Sequence, residues 1–463
     1  MTQPFDAIIV GAGQAGPPLA GRLTAAGQRV ALVERKLFGG TCVNTGCMPT
    51  KTLIASARAA HDARRAADYG VVLGGALHMD MAVVKARKDK VSSDARQGVE
   101  SWLKGMQGCT VFEGHARFVS ATELDVDDQR IAAPKIFLNV GGRASIPDMP
   151  GIDTVPYLTN TSMMALTELP RHLVIVGGSY IALEFAQMYR RFGSEVTVIE
   201  KGPRLIARED EDVSAAVHAI LAREGITIHV NAEHLRFAPR GADIAVDITG
   251  IDGNTEVVGS HLLMAVGRRP NTDALQLDKA GVALDARGYI VVDDELRTNV
   301  PGIWALGDCN GRGAFTHTAY NDFEIVAANL LDGARNGAAA RRVVTDRIDT
   351  YALFIDPPLA RVGLSEAQAR RAGHDVRVGL RPMTRVGRAV EKGETAGFMK
   401  IVVDAKTQAI LGATMLGVGA DEAIHGILDS MAAKAPYPVL RQAMHIHPTV
   451  AELIPTLLGE LKP

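Results

Sequence analysis

The sequence predicts an α/β protein made of two Rossmann-like units followed by a C-terminal α+β module. Two glycine-rich loops, beginning at Gly11 and Gly177, each follow a short apolar run and precede a helical pattern. After each helical pattern comes another apolar run that ends in a carboxylate. From Val343 onward no such loop recurs, and strand-like runs accompany two helical stretches. These observations predict the fold class, because alternating strands and helices form parallel sheets covered by helices.

Composition narrows the functional classes. The chain has 463 residues, which at roughly 150 residues per domain predicts about three domains. Lys and Arg total 50 against 52 Asp and Glu, so we expect neither nucleic acid nor a membrane surface as a partner. No apolar stretch approaches the about 18 residues that span a bilayer, and the N-terminus has no basic leader. We therefore expect a cytoplasmic protein.

The first loop has the pattern of a dinucleotide site. Gly11, Gly13 and Gly16 stand between an apolar run and a helix, and Glu34 ends the next apolar run. Glycines let the backbone approach a pyrophosphate at a helix N-terminus, and the carboxylate can bind a ribose diol. The alternative is an ordinary glycine-rich turn.

The second loop repeats this pattern less completely. Gly177 and Gly178 follow an apolar run, but serine and alanine replace the later glycines. Glu200 ends the next run, where a carboxylate favours NADH and repels the 2′-phosphate of NADPH. Lys201 and Arg204 lie close enough in sequence to soften that preference.

Three further loops fit a layout with two nucleotides. The segments 137–142 and 263–268, which contain Gly141 and Gly267, bracket the second glycine loop as expected of crossings between domains. The segment 303–308 ends in Asp308, a carboxylate at a strand end. Such a carboxylate could bind the ribityl chain of a flavin, or it could be a plain turn residue.

Cysteine usage points to redox chemistry. Four cysteines are too few for a disulfide scaffold, but Cys42 and Cys47 are five positions apart. In a reducing compartment such a pair is more typical of catalysis than of structure. Cys109 and Cys309 have no neighbouring thiol or metal-ligand pattern, so we expect them to be inert core residues and expect no bound metal.

The segment around the cysteine pair favours a reducible disulfide. A helix is predicted over 52–59, which places both cysteines at or before a helix N-terminus, where the macrodipole stabilises a thiolate. Residues five apart on an ideal helix have Cα atoms about 8.6 Å apart, whereas a disulfide needs at most about 7 Å. Gly46 and Pro49 would permit a distorted first turn. The alternative is a pair of buried free thiols.

A candidate proton acceptor stands near the C-terminus. His447 precedes Pro448, which we expect to open a helix, and Glu452 on its first turns could reach back to the imidazole. A carboxylate that orients a histidine fixes the tautomer of a general base. A His-Pro pair alone is also a common helix start.

Together, the segment 40–51 and the residues 447–449 with Glu452 resemble the class I pyridine nucleotide-disulfide oxidoreductases. This flavoprotein family includes glutathione reductase, dihydrolipoamide dehydrogenase and mercuric reductase. The resemblance implies FAD in the first unit, NADH (or NADPH) in the second, and a homodimer. It also implies an FAD domain over 1–148 and 271–342, an NAD(P)H domain over 149–270 and a dimerisation domain over 343–463.

The resemblance also implies residue roles. Cys42 matches the thiol that exchanges with substrate, and Cys47 matches the thiol that contacts the flavin. Lys51 and Glu184 match an ion pair beside the flavin, Tyr180 matches a lid over the nicotinamide, and His447 with Glu452 matches a base dyad supplied by the other subunit. The implied cofactor-binding residues are Gly11, Gly13, Gly16, Glu34, Gly40, Thr41, Lys51, Gly141, Asp308, Gly177, Gly178, Tyr180, Glu184, Glu200, Gly267 and His317.

Several acceptors stay open within the family. The run 208–210 looks like mercuric reductase, but no cysteine pair stands near Pro463 to receive Hg(II), and soft metals need thiolates. The run 356–363 looks like bacterial reductases induced by reactive chlorine, and 445–449 looks like dihydrolipoamide dehydrogenase. We favour a mercuric-reductase-like stress or detoxification enzyme that reduces an oxidant, disulfide or metal ion. Dihydrolipoamide dehydrogenase is the alternative, followed by a quinone reductase or oxidase that ignores the cysteines and by a non-catalytic flavin-binding protein.

Overall fold

The computed structural model describes residues 2–250, 253–332 and 341–463. Its first sheet is parallel, and apolar side chains fill both of its faces, as helix-covered parallel strands require. The strand order across this sheet is Ile303–Ala305, Ile136–Leu138, Ala7–Val10, Val30–Glu34 and Cys109–Glu113. Because Ile303–Ala305 follows the second unit in sequence, the first unit is built from two segments of the chain, with the second unit inserted between them.

Helices follow the strands of this sheet and carry the predicted motifs. The helices are Gly16–Ala25, Gly40–Asn44, Cys47–Arg64, Met81–Lys104 and Thr316–Ala327, which continues as a π-helix over Ala328–Asp332. A mixed sheet flanks the unit and contains Gln3–Pro4, Gln129–Ala132, Glu123–Val126 and Ala116–Ser120. The pair Gly142–Ala144 and Arg268–Pro270 joins the exits to and from the second unit.

The second unit has its own parallel sheet. The strand order is Thr227–His229, Glu195–Ile199, His172–Val176 and His261–Met264, and the helices are Asn160–Met163, Tyr180–Phe192 and Glu211–Arg223. An antiparallel meander of His234–Arg240, Asp243–Gly250 and Gly253–Gly259 covers one face of the sheet.

The C-terminal module is an antiparallel sheet covered by helices. Its strand order is Thr350–Leu353, Leu359–Gly363, Ile410–Leu416, Phe398–Asp404 and Val376–Pro382. The α-helices are Glu366–Arg371, Gly387–Glu391, Ala420–Ala423, His425–Ala432, Tyr437–Arg441 and Ile454–Gly459. Short 3₁₀ turns elsewhere in the chain are Ala66–Tyr69, Ile152–Thr154, Leu277–Ala280, Gly307–Asn310, Val344–Asp346, Met383–Arg385 and Ala451–Leu453.

Buried ion pairs join the second unit to the C-terminal module. Arg361 donates to Glu209 at 3.0 Å, and both side chains are at most 5% exposed. Lys400 contacts Asp210, Asp212 and Glu366 at 2.8–3.2 Å. The run 208–210, which the sequence singled out, is thus a joint between two parts of the molecule.

The fold class predicted from the sequence is confirmed, with local corrections. The C-terminal module contains more than the two helical stretches expected. Pro448 does not open a helix, since the first helical turn after it is Ala451–Leu453. The chain instead bends at His447 and Pro448 before it turns. Within the described ranges, no helix combines the length and apolarity needed to cross a membrane.

Candidate active site

One cavity of ≈ 970 Å³ brings most of the predicted site residues together. It lies where the C-terminal ends of the first sheet's strands meet the second unit and the C-terminal module. Its walls include Gly11, Gly13, Glu34, Gly40, Thr41, Cys42, Cys47, Lys51, Gly141, Tyr180, Glu184, Asp308 and His317. The residues Gly16, Gly177, Gly178, Glu200, Gly267, His447 and Glu452 lie outside these walls.

The first glycine loop fits a dinucleotide. Gly11 has φ +108°, and a Cβ there would overlap the carbonyl of Asn139. A Cβ on Gly16 would overlap the carbonyl of Gly11, and one on Gly40 would lie 2.9 Å from Gly13 Cα. Because side chains are excluded from this cradle, a phosphate group can approach the backbone N–H groups of the loop residues Gly13, Gln14 and Ala15, which precede the prolines in the first turn of Gly16–Ala25. The residues present therefore fit the pyrophosphate of FAD.

Two carboxylates stand at the ends of strands in this unit. Glu34 accepts hydrogen bonds from the backbone of Ala12 at 2.9 Å and Lys36 at 2.8 Å, which fixes its position beside the glycine loop. Asp308 follows Ile303–Ala305 and accepts from Arg268 at 3.2 Å. Asp308 is thus an ion-paired cavity residue as well as a turn residue, a pairing that the sequence did not reveal.

The second glycine loop packs against its own carboxylate. A Cβ on Gly178 would lie 2.7 Å from Glu200 Oε2, so only glycine fits there, while Glu200 Oε1 accepts from Gly202 N at 2.6 Å. The Arg204 guanidinium donates to the backbone carbonyls of Ala207 and Glu209, both at 3.3 Å. Arg204 therefore contributes to the shape of its own loop, and Glu200 defines the charge at the strand end.

The two cysteines lie on consecutive helices with a break between them. Cys42 is within Gly40–Asn44, and Cys47 is the first residue of Cys47–Arg64. A Cβ on Gly46 would lie 2.8 Å from Thr41 O and 3.3 Å from Cys42 Cα, so glycine allows the chain to fold back closely. The predicted distortion at Gly46 is therefore present, and it brings the Cys47 thiol into contact with Cys42.

The two thiols differ strongly in acidity. The hydrogen bond from Cys42 is the largest cause that lowers the pKa of Cys47 to about 6, in opposition to burial. A hydrogen bond with Thr316 and the charge of Lys51 lower the pKa further, and Glu184 raises it. The same contact with Cys47, together with burial, raises the pKa of Cys42 far above its ordinary value. At neutral pH the pair therefore holds one proton on Cys42 and a thiolate at Cys47.

A buried ion pair stands beside this thiolate. Lys51 Nζ lies 2.8 Å from both carboxylate oxygens of Glu184, whose side chain is 5% exposed. Lys51 also lies 4.6 Å from the ring centroid of Phe354, whose backbone N–H donates to Glu184. The ion pair links all three parts of the fold at the cavity wall.

Aromatic rings form another wall of the cavity. Phe315 stacks on His317 at 5.3 Å and on Tyr351 at 5.7 Å between centroids, and Tyr180 lies 5.5 Å from Phe315. Burial lowers the pKa of His317, and its Nε2 bonds to Thr350 O at 2.7 Å, which makes Nε2 the protonated nitrogen of the neutral ring. The sequence analysis missed Phe315 and Tyr351, because no motif surrounds them.

The C-terminal dyad forms, but it lies away from the cavity of its own chain. His447 Nδ1 is 2.8 Å from Glu452 Oε2, so the predicted contact is present. The His447 side chain is 79% exposed, and neighbouring Met444 and Ile446 are also largely exposed. Within one chain the dyad therefore faces outward from the module rather than toward the thiols.

Comparison with known proteins agrees with this geometry. Residues 5–322 match the pyridine nucleotide-disulphide oxidoreductase model, and residues 350–458 match the dimerisation domain of the same family. A probable pyridine nucleotide-disulfide oxidoreductase, RclA of Escherichia coli, is 36% identical over 99% of each chain. Mercuric reductase of Streptomyces lividans is 34% identical over 97% of this chain and 94% of that protein. Dihydrolipoyl dehydrogenase of Chlamydia muridarum is 34% identical over 98% and 96%.

Solved structures give the same assignment. The HOCl-induced flavoprotein disulfide reductase RclA from Escherichia coli superposes with a TM-score of 0.88 at 36% identity, covering 98% of this chain and 99% of that one. Its Cu(II) complex superposes with a TM-score of 0.89 and covers 99% of each. The match to the dimerisation domain supports a homodimer. The chain belongs to the pyridine nucleotide-disulfide oxidoreductase family, whose members are FAD-dependent enzymes that use NAD(P)H.

Proposed function

We propose that this enzyme uses NAD(P)H to reduce a small oxidised acceptor through the Cys42–Cys47 pair, in stress defence or detoxification. The observation that carries the proposal is the contact of Cys42 with Cys47 in the cavity wall, with Thr316 Oγ1 3.1 Å from Cys47 Sγ and the Lys51–Glu184 ion pair beside it, an arrangement that lowers the pKa of Cys47. A pair with one poised thiolate and one protonated thiol suits thiol–disulfide exchange better than it suits a structural role.

FAD would be held by the glycine cradle, Glu34 and Asp308, and NAD(P)H by the second loop with Tyr180 as its lid. When bound, FAD supplies the chemistry that takes a hydride from NAD(P)H and passes an electron pair to a disulfide. Lys51 is held in place by Glu184, so its charge stays beside Cys47 throughout a cycle. The remaining implied binding residues, Gly40, Thr41, Gly141, Gly267 and His317, are proposed to shape these two nucleotide sites.

With a disulfide as the acceptor, the half-reaction proceeds in two exchange steps. Cys42 loses its proton and attacks one sulfur, which forms a mixed disulfide and expels a thiolate that takes up a proton. Cys47 then attacks the sulfur of Cys42, releases the second thiol after another protonation, and restores the Cys42–Cys47 disulfide. The acceptor gains two electrons and two protons, and the dithiol loses both electrons; one proton comes from Cys42 and the other from solvent, because Cys47 starts as a thiolate.

We propose that the base for Cys42 is the partner subunit's His447. The dyad is formed but exposed, and the cavity walls of the same chain do not include it. In a homodimer the partner subunit's His447 would receive the Cys42 proton and return it to the leaving thiol. Glu452 would keep Nδ1 occupied, so that Nε2 is the atom that exchanges the proton.

The acceptor class rests on the relatives. Full-length similarity to an HOCl-induced disulfide reductase with a recorded Cu(II) complex, and to mercuric reductase, favours an oxidant, a disulfide or a metal ion. A dihydrolipoamide dehydrogenase is the second candidate, with the disulfide lipoamide as the acceptor when NADH is the donor, supported by the 34% identity to dihydrolipoyl dehydrogenase. A cytoplasmic location and the boundaries 1–148 with 271–342, 149–270 and 343–463 are part of the proposal.

Steady-state turnover of the holoenzyme tests this function. NADH and NADPH are compared with lipoamide, oxidised glutathione, Hg(II), Cu(II) and a quinone. Cys42→Ala should lose at least about 10³-fold in turnover with the preferred acceptor, whereas Cys109→Ala, a cysteine outside the cavity walls, should be unchanged. Turnover that survives Cys42→Ala would show that the cysteines are bypassed. Strong lipoamide turnover would replace the favoured acceptor class with the second candidate.

A further inference from the structure

Thr316 is the first residue of the helix Thr316–Ala327, and its hydroxyl lies at the thiol pair. Thr316 Oγ1 is 3.1 Å from Cys47 Sγ, although the two residues are 269 positions apart. The same hydroxyl also faces Cys42 and lowers the pKa of that thiol, against the larger effects of Cys47 and burial that raise it. Both side chains lie in the wall of the main cavity.

We propose that Thr316 is a positioning residue that stabilises the Cys47 thiolate and thereby sets the redox poise of the Cys42–Cys47 pair. This inference rests on the proposed function, because it requires that pair to be the redox centre. It assigns a role to a residue that carries no motif of its own.

The charge of Cys47 determines which group donates in the hydrogen bond between Thr316 and Cys47. A thiolate has no proton to give, so when Cys47 is ionised the Thr316 O–H must donate and the sulfur must accept. The backbone N–H groups of the first turn of Thr316–Ala327 lie at the same end of the helix, where the macrodipole also favours an anion. The other groups that face Cys47 are Cys42, Lys51 and Glu184, and burial opposes ionisation.

The hydrogen bond acts on one redox state only. Reduction of the Cys42–Cys47 disulfide by two electrons and one proton gives a Cys42 thiol and a Cys47 thiolate at neutral pH. In the disulfide, Cys47 sulfur carries no charge and is a weak acceptor. Thr316 therefore stabilises the reduced state selectively, and its loss should make the pair harder to reduce.

The experiment uses holoenzyme with the hydroxyl removed in two ways and restored in one. Thr316→Val keeps the size of the side chain, Thr316→Ala removes more volume, and Thr316→Ser keeps the hydroxyl. Thr52→Val is the matched control, because Thr52 lies on the helix of Cys47 but donates to Met48 O at 2.8 Å instead of to a thiol.

The first readout is the pKa of Cys47 in a Cys42→Ala background, taken from the pH dependence of the long-wavelength absorbance of a thiolate beside oxidised FAD. Thr316→Val and Thr316→Ala should raise this pKa by about one pH unit relative to Cys42→Ala alone. Thr316→Ser and Thr52→Val should leave it within a few tenths. The use of two hydroxyl-deleting variants keeps the test decisive if one of them does not fold.

The second readout is the Cys42–Cys47 equilibrium in dithiothreitol redox buffers at neutral pH, by acid quench, alkylation and mass spectrometry. Thr316→Val should shift the equilibrium toward the disulfide about tenfold, or about 30 mV to more negative potential for this two-electron couple. Equal pKa values and equal equilibria for Thr316→Val and Thr316→Ser would overturn the inference while the redox role of the cysteines stands. If Cys47→Ser keeps the long-wavelength absorbance, the assignment of Cys47 as the thiol beside the flavin is wrong, whereas the proposed function itself fails if turnover survives Cys42→Ala.

Discussion

The Lys51 ammonium lies 2.8 Å from both carboxylate oxygens of Glu184, and this ion pair ties the helix that begins at Cys47 to the helix of the second glycine loop. The two charges act on Cys47 with opposite sign, since Lys51 lowers the pKa of Cys47 and Glu184 raises it. Lys51 thus supplies positive charge beside Cys47, and Glu184 partly offsets the effect of that charge on the pKa of Cys47.

Substitution of the two partners should move the Cys47 pKa in opposite directions. Lys51→Met should raise it from about 6 and Glu184→Gln should lower it, each by about one pH unit. Titration of the thiolate absorbance of the reduced enzyme measures both changes, with Lys90→Met as control because Lys90 pairs with Asp94 on the surface. If both substitutions shifted the pKa of Cys47 in the same direction, the opposite effects assigned to Lys51 and Glu184 would be contradicted.

Glu200 should make NADH the preferred donor. The Glu200 carboxylate stands at the end of the strand, and the Arg204 guanidinium is bound to carbonyls of its own loop. Of the two nearby cations, the exposed Lys201 is therefore the one available to a 2′-phosphate. We expect kcat/KM to favour NADH by about tenfold or more, since like charges repel at short range. Glu200→Gln should narrow that ratio, mainly through a lower KM for NADPH.

The control for this experiment is Glu195→Gln, at the exposed opposite end of the same strand. It should leave the ratio unchanged. A wild-type preference for NADPH would refute the role given to Glu200.

The proposed use of the partner subunit's His447 predicts complementation between inactive chains. Cys42→Ala and His447→Ala homodimers should both be inactive. A heterodimer of the two should recover about half of the wild-type activity, because one of its sites then combines an intact Cys42 with an intact histidine from the other chain. Co-expression with two affinity tags isolates this heterodimer, and its turnover decides the question. No recovery would mean that each chain supplies its own base.

Removal of one partner from the buried Arg361–Glu209 ion pair, which joins the second unit to the C-terminal module, should destabilise the protein. Arg361→Leu leaves the Glu209 carboxylate buried without its partner, so the free energy of unfolding should fall by about 3–5 kcal/mol. Burial already raises the pKa of Glu209. A raised carboxyl pKa in the folded state means that stability is lost as the pH rises, so the deficit of the variant should shrink in acid.

The double variant Arg361→Leu/Glu209→Leu is the control for Arg361→Leu. It should recover most of the free energy of unfolding that the single variant loses, as measured by urea unfolding. If both variants are equally destabilised, the loss comes from packing rather than from an unpaired charge.

Local patterns predicted the nucleotide-binding strands well because buried parallel strands are apolar along their whole length. The apolar runs that precede Gly11 and Gly177 form the buried strands Ala7–Val10 and His172–Val176. The distortion at Gly46 followed from the distance that a disulfide requires together with the presence of Gly46 and Pro49. Each of these features depends on neighbours in sequence.

Contacts between distant segments could not be predicted in this way. Thr316 reaches Cys47 across 269 positions, and Arg268 reaches Asp308 across 40, because strands from different parts of the chain end at one cavity. Neither pair has a spacing rule. The prediction that Pro448 opens a helix was wrong for a related reason, since the conformation of a single bend depends on the module that surrounds it.

The central claim is that NADH reduces the Cys42–Cys47 pair itself. Oxidised holoenzyme is treated anaerobically with NADH, quenched in acid, alkylated and mapped by mass spectrometry, with an untreated sample alongside. We expect Cys42 and Cys47 to become alkylated only after NADH, whereas the alkylation of Cys109 and Cys309 should not change. Bleaching of the flavin by NADH with no new alkylation at Cys42 or Cys47 would contradict it.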